Sequence, residues 1–228
     1  MCPDEDSSTP LFFLSCARAG TIPQADEPQP GPNDQVNIFF HDLSVNVAEL
    51  VRRRPGADPG FMDRSRQGGR RWTDELLHAL GGCQIFVALL SVPYIISEWC
   101  GMEWGAFSQR QVAKLKKSDS CLQACIIPIV WAPVPDERVP SCMRAVQRFV
   151  PDGLPDPDIV QRYESVGVSG LLWMRQEIPY QAVVWRLAQR ITDLYLSHSV
   201  EPRRFDRAEL RNIFQQQDGE QHSPGARR

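Results

Sequence analysis

The chain is expected to fold as an α/β domain, a parallel sheet with helices on both faces, and three observations carry that expectation. First, the runs LFFLSC (Leu11 to Cys16), QIFVALLS (Gln84 to Ser91) and ACIIPIVWAP (Ala124 to Pro133) are too short for helices and read as strands buried on both faces. Second, amphipathic stretches of helical period lie between and after these runs, so strand and helix alternate. Third, 228 residues with 42% hydrophobic and 23% charged content describe a globular chain long enough for one substantial core and short for two.

The elements follow in order. LFFLSC is expected as a central strand, and the Pro- and Gly-rich ARAGTIPQADEPQPGPND as a surface loop. In NDQVNIFFHDLSVNVAELVRR the apolar residues Val36, Phe39, Phe40, Leu43, Val47, Leu50 and Val51 keep a helical period, with Asn33 or Asp34 as N-cap. A very short strand is expected to end near Phe61 and Met62, ahead of the basic loop RSRQGG. RWTDELLHALGG reads as a helix closed by Gly81 and Gly82 as C-cap. QIFVALLS is the next strand, Ser97 caps a helix from about Glu98 to Lys116, and ACIIPIVWAP follows as a strand. Beyond the proline-dense stretch from Pro133 to Pro157, SCMRAVQRFV suggests a short helix and GLLWM a fifth strand. QEIPYQAVVWRLAQRITDLYLSH is a long helix with Val183, Val184, Leu187, Ile191, Leu194 and Tyr195 on one stripe. A further short helix is expected at about Phe205 to Gln216, then a disordered tail. The expected organisation is a flexible terminus at 1–9, the main domain at 10–198, and the helix and tail at 199–228.

Composition also bounds function. A formal net charge of -3 gives no general attraction to nucleic acid or anionic membrane, so neither is expected as a partner. The seven cysteines are odd in number and mostly set in apolar runs, as reduced thiols in a cytoplasmic protein would be. Cys121 and Cys125 lack a second pair and the four histidines are dispersed, so no metal site is expected. MCPDEDSSTP has no basic stretch before an apolar core, and no apolar run approaches the roughly 20 residues of a membrane span. No G-x-G-x-x-G, P-loop or H-E-x-x-H pattern occurs, and GVSG lacks nucleophile-elbow spacing.

One feature remains. In SVPYIISEWCGMEW, Glu103 falls near the middle of an apolar arc formed by Trp99, Cys100, Met102, Trp104, Ala106 and Phe107, with Trp99 and Phe107 one turn to either side. A carboxylate withdrawn from water has a raised pKa unless paired or hydrogen-bonded, and such groups gather at functional sites. Helical phase equally allows Glu103 to pair with Arg110, Lys114 or another basic residue at the edge of the core. Glu98, in the first turn, is a favourable charge at a helix N-terminus.

The blocks LFFLSCAR, GFMDRSRQGGRRWTDELLHAL, IFVALLSVPYIISEWCGMEW and CIIPIVWAP stand in the order and spacing of the TIR (Toll/interleukin-1 receptor) domain, over roughly residues 10 to 132. They most closely resemble actinobacterial TIR-like proteins of the FxsC type. The resemblance implies a flavodoxin-like fold with a central parallel sheet of about five strands. It also implies that Glu103 is the glutamate with which enzymatic TIR domains cleave NAD between nicotinamide and ribose. The substrate-binding set it implies is Ser15, Cys16, Arg18, Asp63, Arg64, Arg66, Ser97, Trp99 and Cys100. Within it Trp99 would stack on a base or nicotinamide ring, and the arginines of the loop Asp63 to Gly69, with nearby Arg70, would face the pyrophosphate. Those arginines read equally well as a solvated basic loop or a self-association surface.

The resemblance has departures. Cys16 replaces the tyrosine that commonly follows the first-strand serine, the loop from Ala17 to Asn33 is longer and richer in proline, and Gly101-Met102 stands where other members carry larger polar residues. The expectations are an NAD glycohydrolase, with NAD as substrate, no cofactor, and homotypic TIR self-association; a non-catalytic TIR adaptor; or an enzyme resembling nucleoside deoxyribosyltransferases.

Overall fold

The computed structural model describes residues 9–17, 32–51, 58–63, 72–114 and 122–215. In chain order the elements are β1 (Phe12–Ser15), α1 (Pro32–Leu50), β2 (Gly60–Phe61), α2 (Asp74–Gly82), β3 (Ile85–Leu90), α3 (Val92–Ile96), α4 (Glu98–Ser108), β4 (Val112–Lys114), β5 (Ile126–Val130), α5 (Ser141–Arg144), α6 (Pro157–Trp173), α7 (Glu177–Ser197) and β6 (His198–Val200). Four strands form a wholly parallel sheet in the order β2-β1-β3-β5. The chain runs from β1 outward to β2, then crosses back to place β3 on the other side of β1. The strand order therefore reverses between β1 and β3.

Side-chain alternation along the strands assigns the two faces. Phe13 and Phe86 lie in register and stack at 5.8 Å, and Phe86 continues onto Trp104 and Phe107 of α4. Phe12, of the opposite parity, meets Phe40 of α1 at 5.9 Å. Ser15 shares the parity of Phe13, so its side chain is directed to the α4 face. On the other face α1 packs beside α7, whose Val183, Val184, Leu187, Ile191 and Leu194 are all buried.

The free edge of β5 is closed. Residues of even number point their backbone groups away from β3, since Trp131 N donates to Leu90 O. Pro128 has no N–H on that edge, its carbonyl accepts from Phe149 N at 2.8 Å, and the Val130 N–H is taken by the Tyr163 hydroxyl at 3.0 Å.

Several expectations are corrected. GLLWM is not a strand but the end of α6, whose N-terminus is fixed by Asp156 as cap and Pro157 in the first turn, and the parallel sheet has four strands. Helix α4 stops at Ser108 rather than near Lys116, because Val112–Lys114 turns out to pair antiparallel with His198–Val200. Helix α1 begins at Pro32, so Asn33 and Asp34 lie in its first turn. Gly81 and Gly82 are inside α2, and the cap is Cys83 with φ of -61°. Gly81 serves close approach instead: a Cβ there would lie 2.1 Å from the carbonyl oxygen of Arg203. The helix expected at 205–216 is a single 3-10 turn, Arg207–Glu209, within an otherwise irregular segment. That segment buries Phe205 and Leu210 in the common core.

Candidate active site at the strand crossover

In open parallel sheets ligands bind beyond the carboxyl ends of the strands where their order reverses, because the diverging connections leave a crevice there. Here that point lies past Ser15 of β1 and Leu90 of β3. Ser91 follows β3 and caps α3, its hydroxyl accepting from Tyr94 N at 3.3 Å, which holds Tyr94 over the ends of the strands. Ser97 ends α3 and caps α4 in turn, accepting from Cys100 N at 3.2 Å. Two N-caps in succession thus bring Tyr94 and Glu103 back toward β1.

Three polar side chains meet at this point. Ser15 donates a short hydrogen bond to Glu103 Oε2, and its oxygen lies 3.0 Å from the Tyr94 hydroxyl. A serine hydroxyl has a single proton. With that proton given to Glu103, Tyr94 is the donor to Ser15, and the order is Tyr94 to Ser15 to Glu103. Glu103 is 3% exposed and Ser15 1% exposed. Burial, reinforced by the neighbouring Cys100, Glu103 and Cys16, holds the Tyr94 phenol protonated well above its usual range, with the Ser15 hydrogen bond opposing. Cys16 and Cys100, both buried, lie close enough to Tyr94 to act on its titration.

Arg110 does not answer the charge of Glu103. Its guanidinium donates to the carbonyls of Leu80 at 3.1 Å, Cys83 at 2.6 Å, Val200 at 3.4 Å and Glu201 at 3.1 Å, joining the end of α2 to β6.

The expected site residues divide accordingly. Ser15, Cys16, Cys100 and Glu103 come together at the crossover. Ser97 stands beside them as a helix cap. Trp99 is half-buried, and Trp72 stacks on it with ring centroids 4.2 Å apart and planes 20° apart. Asp63 follows β2, one strand beyond Ser15. Arg18, Arg64 and Arg66, with Arg70 and most of the loop from Asp63 to Gly69, lie outside the described residues.

Tyr94 and Trp72 were not anticipated. The signal for Tyr94 was present as S-V-P-Y directly after a strand, a serine cap followed by proline in the first helical turn. Trp72 precedes the Thr73 cap of α2, where an apolar residue usually packs back on its own helix. Its partner across the chain left no local trace.

The topology and the polar chain at its crossover define a flavodoxin-like α/β domain with a buried carboxylate at the switch point. Residues 45–150, a little under half of the chain, match the family profile described as TIR domain. That stretch runs from within α1 through α5 and includes Tyr94, Trp99 and Glu103. No curated protein and no solved structure matches the chain. Among the described residues there is no cluster of metal-ligating side chains and no helix long and apolar enough to cross a membrane. TIR domains commonly self-associate.

Proposed function

We propose that the protein is an NAD glycohydrolase of the TIR class, of the actinobacterial FxsC-like kind that its sequence resembles, acting in intracellular signalling or defence with Glu103 as the reacting carboxylate. The observation that carries this reading is the placement of Glu103: a carboxylate withdrawn from water at the strand crossover, oriented by Ser15 from the end of β1. Nicotinamide attached to ribose is a cationic leaving group. When its C–N bond breaks, the electron pair returns to the ring nitrogen and the ring leaves neutral, so no general acid has to protonate it. A single carboxylate then suffices to stabilise the oxocarbenium-like sugar and to accept a proton from the water that attacks the same carbon. ADP-ribose and nicotinamide result, or a cyclised product where an internal nucleophile replaces water. The test is release of nicotinamide from NAD by concentrated protein, followed by chromatography. Glu103→Gln keeps the shape and can still accept from Ser15, yet should lower release by about a hundredfold or more. Activity that survives this change would sink the assignment.

A second reading, a non-catalytic adaptor that signals by homotypic assembly, draws on the Trp72–Trp99 stack, which already occupies a ring face that a nicotinamide or base would use. Light scattering over a range of concentrations discriminates the two. Assembly without nicotinamide release favours the adaptor, and a strict monomer excludes it.

A further inference from the structure

Helix α4 is buried on nearly every side, including the side turned away from the sheet. Its cover there is the segment that follows β6. Gly101 and Gly105, one turn apart, present bare backbone to this segment: a Cβ at Gly101 would lie 1.9 Å from Asn212 Oδ1, and one at Gly105 2.8 Å from the carbonyl oxygen of Arg211. Asn212 in turn accepts from Phe214 N at 3.0 Å, which bends the chain and turns the Phe214 ring inward. That ring meets Tyr94 at 5.9 Å and Trp104 at 6.2 Å between centroids, the latter edge to face. Phe214 therefore touches the phenol at the start of the Tyr94–Ser15–Glu103 chain and the residue adjacent to its end. Gly101 is also where the sequence departs from its resemblance to other TIR domains, and the seat for Asn212 gives that departure a physical reason.

We infer that residues 203–214 form a strap that seats α3 and α4 against β1, and that Phe214 is the positioning residue through which the strap sets the Tyr94–Ser15–Glu103 chain. The strap is tied at its start as well, by Arg203 N to Gly81 O at 3.0 Å and by the Arg203 guanidinium to Gln109 O at 3.1 Å. Its consequence for catalysis rests on the reading of Glu103 as the reacting carboxylate, whereas its consequence for geometry does not.

Two full-length variants test it. Phe214→Ala removes the ring. Gly101→Ala displaces the Asn212 side chain that holds Phe214 N, while alanine itself favours the helix, so a loss cannot be assigned to a weakened α4. The first readout is alkylation by N-ethylmaleimide in the folded protein, mapped by peptide mass spectrometry. Both variants should speed labelling of Cys100, on α4 beside the seat, about tenfold over wild type, with Cys125 at the start of β5 unchanged as the internal control. The second is nicotinamide release: kcat should fall about tenfold or more with KM within about twofold, and Phe214→Leu should recover most of the loss. Equal acceleration at Cys100 and Cys125 would mean general loosening and would overturn the inference. So would unchanged labelling, or selective labelling with unchanged kcat. If wild-type protein releases no nicotinamide, the glycohydrolase reading falls, and the labelling comparison alone decides the strap.

Discussion

Ser15 is the hinge of the site, because one hydroxyl serves two neighbours in opposite senses, donating to Glu103 and accepting from Tyr94. Loss of the two contacts should therefore be unequal. Ser15→Ala leaves a buried carboxylate short of a donor, which costs about 1–3 kcal/mol and should lower nicotinamide release about tenfold or more. Tyr94→Phe removes only the outer bond, costs about 1 kcal/mol, and should reduce release a few-fold, since Ser15 still orients Glu103. Steady-state kinetics and urea unfolding of both variants check the order, and an equal or reversed order would contradict the assigned donor direction. Glu103 was legible in the sequence because helical phase is a local property and set it on an apolar arc, whereas Ser15 was pointed to by the family resemblance alone. The bond between them was not anticipated, because it joins residues 88 apart in the chain. Tyr94 and Trp72 escaped because their partners come from other elements.

At the scale of elements, apolar content was read correctly and its period sometimes was not. GLLWM holds four apolar residues in a row after glycine, a pattern that a strand and a buried helix share. Helix α6 wins because Ile159, Tyr163, Val168 and Leu171 all reach the core, and the chain takes a non-helical step at Gly167, with φ of 68° and ψ of 176°. That step brings backbone against backbone: a Cβ on Gly167 would lie 2.5 Å from the carbonyl oxygen of Trp131 and 2.9 Å from that of Val130. Gly167→Ala therefore combines a left-handed φ with a collision that neither partner can relieve by rotating a side chain. A loss of about 2 kcal/mol or more is expected, read as a lower urea midpoint with unchanged slope. An alanine variant as stable as wild type would show that α6 runs straight through. The early end of α4 was illegible for another reason. Val112–Lys114 becomes a strand only because His198–Val200 arrives from far along the chain to pair with it.

The whole molecule closes around Arg110, a cation surrounded by four carbonyls, with two buried thiols close enough to feel its charge. Burial pushes Cys83 up to about 11 and Cys125 up to about 11, with the Arg110 charge opposing in both. The unfolded chain sheds these protons near pH 8.5, by about the ordinary thiol value, while the folded protein keeps them. Between about pH 9 and 11 the unfolded state binds fewer protons, so stability falls as pH rises through that window, by roughly 1.4 kcal/mol per unit for each thiol. Urea midpoints measured from pH 8 upward should be flat and then decline, and Cys83→Ala should make the decline shallower. A profile level to about pH 11 would refute the account. The sequence placed both cysteines in apolar surroundings but could not reveal that they share one cation. The closed edge of β5 bears on how copies of the protein meet. With proline in the middle and its outward groups taken by Phe149 and Tyr163, that border offers no ladder on which a neighbour could zip. On that flank, contact between copies would run through helices and loops pressed together, a mode that can be dissolved and rebuilt, and the chain is guarded there against the irreversible stacking of sheets into fibres.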